Sequence, residues 1–104
     1  MYLAAIVVAV TEARAAPRGW QPPGWWLRQA ACIKWAESRD NPRAVGAGSY
    51  GLFQFIPSTW ASVGGTGNPV NASVREQTYR AWLVWSRDGG SWREWSTARG
   101  CGLR

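Results

Sequence analysis

The stretch CIKWAESRDNPRAVGAGSYGLFQFIPSTWASVGGTG, residues 32–67, decides the fold because its pattern changes twice along its length. Its first part continues an apolar helical pattern, and Pro42 prevents a helix from extending beyond that point. Its middle part, residues 44–55, contains three glycines and favours a loop or a short hairpin. Its last part favours a short helix over residues 56–63, with Pro57 in the first turn. The stretch therefore predicts a helix, an irregular segment and a second helix.

Helical patterns also lie on both sides of this stretch. A helix is expected over residues 25–39, because this segment follows a Pro-Pro-Gly sequence. Ser73 and Glu76 form a capping box, which predicts a later helix over residues 74–87. Val74, Thr78, Ala81 and Trp85 fall on one face of that helix, with Trp82 beside them. With a last short turn before Cys101, the pattern predicts a mainly helical single domain of three to four helices.

The first residues resemble an export signal more than a part of this domain. Residues 3–10 are an apolar run too short to span a bilayer, and an A-x-A sequence follows at residues 13–15. We therefore predict a signal peptide over residues 1–15, a Pro/Gly-rich linker over residues 16–24 and a domain over residues 25–104. A buried first strand or helix is the alternative for the apolar run. Export would place the protein outside the cytoplasm.

The composition excludes several kinds of chemistry. The chain of 104 residues carries a net charge of +6 and contains no histidine. Without histidine, Ser-His and Cys-His nucleophilic pairs and most zinc sites are excluded, so acid–base chemistry falls to carboxylates. The arginines are scattered, which favours a solvated basic surface over a nucleic-acid-binding arm and suits an anionic partner such as a cell wall. Most of the nine tryptophans are expected in the core, and indole rings also stack on sugars.

Two cysteines, Cys32 and Cys101, stand near the two ends of the predicted domain. Such a pair suits a single disulfide bond in an oxidising compartment, and two buried free thiols are the alternative. A bond closing a loop of this length would stabilise the fold by about 4 kcal/mol. A catalytic Cys32 is not expected, because no histidine is present to activate it.

Glu37 is the candidate catalytic residue. It continues an apolar helix stripe formed by Trp26, Ala30 and Ile33, at spacings of four, three and four. Glu37 lies in the last turn of the predicted helix, where the negative end of the helix dipole and partial burial both disfavour an ionised carboxyl. A carboxyl that keeps its proton is what a glycosidase needs to protonate a glycosidic oxygen. The alternative is that Glu37 only pairs with Lys34 or Arg39 at the helix end.

Several motifs in a fixed order resemble lytic transglycosylases and, more closely, the actinobacterial resuscitation-promoting factors. The transglycosylase-like motifs are E-S-x-x-N-P at residues 37–42, a G-L-x-Q loop at 51–54 and P-x-T at 57–59. The features shared with resuscitation-promoting factors are Y-G-x-x-Q-F at 50–55, T-W at 59–60, G-G at 64–65, R-E-Q at 75–77, and Trp92 and Trp95 before the last cysteine. The resemblance covers residues 25–103.

This chain departs from both patterns at named places. Transglycosylases usually carry a serine between the first two motifs, where this chain has Gly46, and Ser49 is a candidate substitute. In resuscitation-promoting factors the cysteine directly precedes the glutamate, whereas Cys32 lies five residues before Glu37. The A-Y-N-A-G motif of the larger transglycosylases is absent. This last departure indicates a minimal form of the family.

The resemblance implies a fold and a set of site residues. The fold is a mainly α, α+β lysozyme-like domain in which a short loop or hairpin lies beside the cleft. Glu37 would be the general acid and later the base. By the same resemblance Gln54 and Thr59 would line the cleft around the scissile bond, and Tyr50 and Trp60 would help to form it. The Cys32–Cys101 pairing would match the single disulfide of the resuscitation-promoting factors.

The sequence offers no strong second carboxylate beside Glu37. Ordinary glycosidases use two carboxylates, and the other candidates, Asp40, Glu76, Asp88 and Glu94, all have helix-end or capping interpretations. In lytic transglycosylases the muramoyl sugar's own 6-hydroxyl closes an anhydro ring, so one protein acid is enough. The predicted reaction is therefore non-hydrolytic cleavage of the MurNAc–GlcNAc β-1,4 bond of peptidoglycan.

The expected partner is the peptidoglycan glycan strand, bound by a monomer. No cofactor, metal ion, nucleic acid or stable membrane insertion is expected. The alternative function is a peptidoglycan-binding module of the same fold that no longer turns over.

Overall fold

The computed structural model describes residues 15–104. The predicted apolar run and the start of the A-x-A sequence lie outside the described residues. Over the described part of the chain, three α-helices and two 3₁₀ segments follow one another: α1 Gly24–Ser38, α2 Pro57–Ser62, Pro69–Asn71, α3 Val74–Arg87 and Ser96–Cys101. The mainly α fold and the bounds expected for the three helices are confirmed. None of the helices in residues 15–104 is both long enough and apolar enough to cross a membrane.

Helix α1 buries the stripe that its sequence predicts. Trp26, Ala30 and Ile33 are fully buried, as expected for residues that recur every three or four positions. The helix ends where Arg39 and Asp40 both adopt left-handed backbone, with φ of 54° and 62°. The N–H of Arg39 donates to the Trp35 carbonyl at 3.0 Å, which closes the last turn.

Helix α3 begins at a cap that differs from the predicted capping box. The Ser73 hydroxyl accepts a hydrogen bond from the Glu76 N–H at 3.0 Å, as a capping serine does. The Glu76 carboxylate does not return to Ser73, because it binds the Ala16 N–H at 2.7 Å and Arg80 at 3.0 Å. Val74 shares a helix face with Thr78 and Ala81, which are buried, but this first-turn residue is itself 51% exposed.

The glycine-rich segment between α1 and α2 is the predicted short hairpin-like loop. Tyr50 forms isolated antiparallel bridges with Val45 and with Phe55, so the chain folds back twice over residues 45–55. Gly51 carries a φ of 83°, and a Cβ at this position would lie 2.4 Å from the Gln77 side-chain oxygen. Glycine is therefore required both for the backbone conformation and for the close approach.

Gln77 of α3 holds this loop from behind. Its side chain is fully buried and accepts a hydrogen bond from the Leu52 N–H at 2.8 Å. Its amide group donates to the Pro42 and Ala72 carbonyls, both at 3.1 Å. A buried amide with three satisfied contacts fixes three backbone segments relative to one another.

A disulfide bond joins α1 to the last 3₁₀ segment. Cys32 and Cys101 are bonded, with their Cα atoms 6.0 Å apart and 69 positions between them in the sequence. The predicted pairing is confirmed, although Cys32 lies five residues before Glu37. The bond clamps Ser96–Cys101 against the helix that carries Glu37.

Residues 16–24, whose composition predicts an extended linker, lie along α3. The Arg75 guanidinium donates hydrogen bonds to the Pro17 and Trp20 carbonyls. The Trp20 ring packs edge-on against Tyr79, with 5.0 Å between the ring centroids. These contacts fix the position of the chain from Ala16 onward.

Candidate functional site

A cleft of about 390 Å³ opens beside the end of α1. Its walls come from four parts of the chain: α1, the loop at 45–55, the start of α2 and the segment that leads into the last 3₁₀ turn. The lining residues are Glu37, Ala47, Gly48, Ser49, Gln54, Phe55, Ile56, Thr59, Glu94, Trp95 and Ser96. Three of the five residues predicted for catalysis and substrate binding, Glu37, Gln54 and Thr59, therefore meet in one cleft.

Glu37 reaches this cleft because α1 carries it one turn beyond the buried stripe. Its carboxyl is half-buried and receives a hydrogen bond from the Thr97 hydroxyl at 2.8 Å. The next residue, Ser38, donates its hydroxyl to the Leu52 carbonyl at 2.8 Å and to the Lys34 carbonyl at 3.0 Å. The end of the helix is thus tied to the loop, and the Glu37 side chain is held against the last 3₁₀ segment.

The alternative in which Glu37 pairs with a basic residue of its own helix end does not occur. Lys34 instead lies 3.5 Å from the Asp40 carboxylate, and the Arg39 guanidinium lies over the Trp35 ring at 5.1 Å. Within residues 15–104, Glu37 takes part in no ion pair. Its one hydrogen-bond partner in that part of the chain is a neutral hydroxyl.

Gln54 is held rigidly in the loop. Its backbone is left-handed, with φ of 51°, a conformation that costs a residue other than glycine about 1–2 kcal/mol. The side chain offsets this strain by donating to the Gly51 carbonyl at 3.0 Å and to the Ala44 carbonyl at 3.3 Å. Strained non-glycine residues of this kind concentrate at functional sites.

Gly46 and Ser49 explain one departure from the transglycosylase motif. A Cβ at Gly46 would lie 2.3 Å from the Gln54 side-chain oxygen, so no larger residue fits there without a shift. The Ser49 hydroxyl donates to that same oxygen at 2.9 Å and lines the cleft. A serine is therefore present beside Gln54, although it occupies a later position in the loop.

Tyr50 and Trp60, the other two predicted site residues, do not line the Glu37 cleft. Tyr50 is half-buried within the two bridges of the loop and is not among the residues that line the cleft. Trp60 is 3% exposed and donates its indole N–H to the Thr66 carbonyl at 3.2 Å. It borders a second cavity of about 450 Å³ that also contains Glu76 and Arg80. Trp60 reaches that cavity because Gly65 lets its ring lie directly on the backbone, where a Cβ would be 2.3 Å away.

The sequence did not predict the wall of the cleft that the segment before Cys101 forms. Thr97 binds Glu37, and Trp95 lines the cleft while donating its indole N–H to the Phe53 carbonyl at 2.9 Å. The late tryptophans before Cys101 mark this region in the sequence, but no local pattern assigns Thr97 to Glu37.

Glu94 is a second carboxylate whose position beside Glu37 the sequence did not predict. It lines the same cleft as Glu37, and the Arg87 guanidinium donates to it at 3.1 Å. The pKa of Glu94 is raised above its ordinary value of 4.5, chiefly because of a hydrogen bond with the Asp88 side chain and also because of burial. The Asp88 side chain is itself only 6% exposed, and its buried Oδ2 atom has no hydrogen-bond partner within residues 15–104. A protonated Glu94 can donate to the Asp88 carboxylate, which is why the hydrogen bond between the two side chains raises the pKa of Glu94.

Within residues 15–104 no three histidine, cysteine, aspartate or glutamate side chains lie close enough together to hold a metal ion. The groups that the cleft presents are two carboxyls in different environments, the hydroxyls of Ser49, Thr59 and Ser96, and the amide of Gln54, while the Thr97 hydroxyl contacts the Glu37 carboxyl.

Comparison with known proteins agrees with this geometry. The model of the transglycosylase-like domain family matches residues 26–98. The chain belongs to this family. The match begins in α1 and ends within the last 3₁₀ segment, so it includes every wall of the Glu37 cleft.

Two curated relatives are resuscitation-promoting factors. The chain is 38% identical over 96 residues to resuscitation-promoting factor Rpf of Micrococcus luteus, an alignment that covers 86% of this chain and 42% of that protein. It is 43% identical over 65 residues to resuscitation-promoting factor RpfC of Mycobacterium tuberculosis (strain ATCC 35801 / TMC 107 / Erdman), covering 62% of this chain and 44% of that protein. The chain thus spans less than half the length of the curated relatives it matches. The predicted resemblance to this transglycosylase-like family is confirmed.

Proposed function

We propose that this domain cleaves the MurNAc–GlcNAc β-1,4 bond of peptidoglycan by non-hydrolytic transglycosylation, with Glu37 as the catalytic acid. The observation that supports this most directly is the setting of Glu37 in a cleft of a transglycosylase-like domain. Its carboxyl is half-buried, lacks an ion-pair partner within residues 15–104 and faces one neutral hydroxyl. A carboxyl in such surroundings can give up a proton and take it back.

The proposed reaction balances with one protein acid. Glu37 donates its proton to the glycosidic oxygen, and the bond between that oxygen and C1 of MurNAc breaks. The 6-hydroxyl of the same MurNAc attacks C1, and its proton returns to Glu37. The products are a free 4-hydroxyl on GlcNAc and a 1,6-anhydro ring on MurNAc. Thr97 suits both stages, because a hydroxyl can donate to the carboxylate and accept from the carboxylic acid.

The position of Glu94 favours a second route, which is hydrolysis. A carboxylate in the same cleft as the acid can activate a water molecule or act as a nucleophile, as in glycosidases that use two carboxylates. The carboxyl of Glu94 is bonded to Arg87, and its raised pKa favours the protonated form, which is a poor base and a poor nucleophile. We therefore prefer the route in which the substrate supplies the nucleophile. The two routes leave different ends on MurNAc, a 1,6-anhydro ring or a reducing sugar.

Release of soluble muropeptides from purified sacculi tests the proposal. We expect Glu37→Gln to lower the rate by about 10²–10⁴-fold, because that is the usual contribution of a general acid. Asp40→Asn is the matched control, since Asp40 is an exposed carboxylate three positions later and lies outside the cleft. Mass spectrometry of the products then separates anhydro ends from reducing ends.

Each result has a distinct meaning. Equal release by the wild type and by Glu37→Gln would exclude Glu37 as the acid. No release by either, combined with retention on sacculi, would make the domain a peptidoglycan-binding module. Reducing ends that depend on both Glu37 and Glu94 would establish hydrolysis in place of transglycosylation.

We further propose that residues 1–15 act as a signal peptide and that the domain works as a monomer outside the cytoplasm, on the cell wall. The A-x-A sequence at residues 13–15 and the Cys32–Cys101 bond support export to an oxidising compartment.

A further inference from the structure

The second cavity holds an unusual contact of the chain close to its predicted processing point. The backbone N–H of Ala16 donates to the Glu76 carboxylate at 2.7 Å. Ala16 directly follows the A-x-A sequence at residues 13–15, whose last residue is where an export endopeptidase cuts. Ala15 is exposed and borders the cavity of about 450 Å³ that contains Glu76 and Arg80.

The position of Ala16 depends on contacts that follow it in the chain. Arg75 donates to the Pro17 and Trp20 carbonyls, and the Trp20 ring packs against Tyr79 at 5.0 Å. All of these partners belong to α3. Removal of residues 1–15 would therefore leave the Ala16 nitrogen beside Glu76.

We propose that cleavage between Ala15 and Ala16 converts this nitrogen into a terminal ammonium that binds Glu76, so that the domain carries a built site for its own processed N-terminus. An export endopeptidase adds one water molecule across the peptide bond. The C–N bond breaks, Ala15 takes the water oxygen into a carboxylate, and both water hydrogens end on the Ala16 nitrogen, which is an ammonium at neutral pH. The inference goes beyond the cleavage of peptidoglycan and does not depend on it, although it rests on the proposed signal peptide.

The charges around the site favour an ammonium over an amide. Glu76 accepts from Ala16 with one oxygen and from Arg80 with the other, at 2.7 Å and 3.0 Å. Arg80 is 3% exposed and also donates to the Val63 carbonyl. Arg75 is turned to the Pro17 and Trp20 carbonyls, so Glu76 is the one carboxylate that contacts Ala16 within residues 15–104. Cleavage turns the contact between a neutral amide and a carboxylate into an ion pair in which both partners are charged, which adds a Coulomb attraction to the hydrogen bond.

The sequence allows a clean chemical test, because Lys34 is its sole lysine. The full chain with Lys34→Arg is exported from a bacterial host, and its N-terminus is determined by mass spectrometry. We expect the mature chain to begin at Ala16. Its α-amino group is then the single primary amine of the protein. A mature chain that begins elsewhere would overturn the proposal.

The first readout is the reactivity of that amine in the folded protein. Pairing with Glu76 raises the pKa of the α-amino group above its ordinary value of about 7.7–8. Fewer molecules then carry a free amine at pH 7, so we expect acylation by an N-hydroxysuccinimide ester to be about tenfold slower than in the peptide Ala-Ala-Pro-Arg. Equal rates in protein and peptide would overturn the proposal, and this result does not require any variant of Glu76 to fold.

The second readout is thermal unfolding with the amine free and with the amine acetylated. Acetylation removes the charge and keeps one N–H donor, so we expect Tm to fall by about 3–5 °C at pH 6.5. A raised pKa stabilises the fold fully below about pH 7.7 and loses its effect as the pH rises through the folded-state value, so the difference should vanish near pH 10.5. It should also vanish in Glu76→Gln and persist in Asp40→Asn. A difference that is absent at pH 6.5, or that survives Glu76→Gln, would overturn the proposal.

Discussion

Two half-buried glutamates, Glu37 and Glu76, border two separate clefts of this domain, and their carboxyls have different partners. The clefts are of similar size, about 390 Å³ beside Glu37 and about 450 Å³ beside Glu76. Glu37 is bonded to one neutral hydroxyl, from Thr97. Glu76 is bonded to the buried Arg80 and to the Ala16 N–H. We propose that these partners, and not burial or cleft size, decide which carboxyl acts in catalysis and which one holds the fold together.

The largest expected effect concerns the support of the Glu37 cleft. The double variant Cys32→Ser and Cys101→Ser should lower the free energy of unfolding by about 4 kcal/mol, since the bond closes a loop with a sequence separation of 69. It should also lower sacculus cleavage at temperatures where the protein remains folded, because the bond holds the segment that carries Thr97. Urea denaturation and muropeptide release measure the two effects.

The Glu76 side serves as the internal control for that variant. The bond does not join any element that contacts Glu76, so acylation of the Ala16 amine should remain slow in the folded variant. Unchanged unfolding free energy and unchanged cleavage together would show that the disulfide does not support the site.

The next effect concerns the paired carboxylate. Glu76→Gln should lower the free energy of unfolding by about 3 kcal/mol, the lower end of the range for breaking a buried ion pair, because Glu76 itself is 29% exposed whereas Arg80 is 3% exposed. Cleavage per folded molecule should stay at the wild-type rate, since Glu76 lies outside the Glu37 cleft. The comparison between the two glutamates would fail if Glu76→Gln abolished cleavage while leaving Tm unchanged.

The two glutamates also show which features can be predicted from the sequence and which cannot. The helices were predictable because their signals are local: Pro42 limits how far α1 can extend, Ser73 caps α3, and the apolar spacing places Glu37 one turn after the buried stripe. The partners were not predictable, because the contacts from Thr97 to Glu37 and from Ala16 to Glu76 each join residues 60 positions apart. No helical period or capping rule reaches over such a distance.

The same limit applies inside the loop and at the cleft. The motif resemblance suggested Gln54 and Thr59, which line the Glu37 cleft, and it also suggested Trp60, which borders the cavity beside Glu76. The bonds from Gln77 to Leu52, Pro42 and Ala72 depend on how α3 packs behind the loop. Such packing follows from tertiary structure and leaves no mark in a local pattern.

A smaller effect is expected from a change at Thr97, whose hydroxyl is the neutral hydrogen-bond partner of Glu37. Thr97→Val keeps the shape of the side chain and removes the hydroxyl, so we expect the cleavage rate to fall by about tenfold, as for one lost hydrogen bond to an ionisable group. Thr97→Ser keeps the hydroxyl and should restore most of the rate. Muropeptide release measures both variants, and equal rates for valine and serine would remove Thr97 from the positioning of Glu37.

The smallest effect concerns Glu94, which combines features of the other two glutamates. It lies in the cleft of Glu37, yet it binds an arginine as Glu76 does. Its pKa is raised, chiefly by the hydrogen bond with Asp88, so the folded state favours its protonated form. The stabilisation from that proton is complete below the ordinary value of 4.5 and is lost as the pH rises through the folded-state value.

The variant Glu94→Gln isolates the stabilisation that comes from the Glu94 proton from the titration of other carboxyls, because a glutamine amide can donate to Asp88 at every pH. Relative to Glu94→Gln, the Tm of the wild type should fall as the pH rises from about 4.5 towards neutrality. A comparison of the wild type with Asp40→Asn should show no such trend. A Tm gap that is constant with pH, or that grows in favour of the wild type, would contradict the shared proton. If Glu94→Gln instead stops cleavage, Glu94 joins Glu37 in the chemistry, and partners alone do not decide which carboxyl acts.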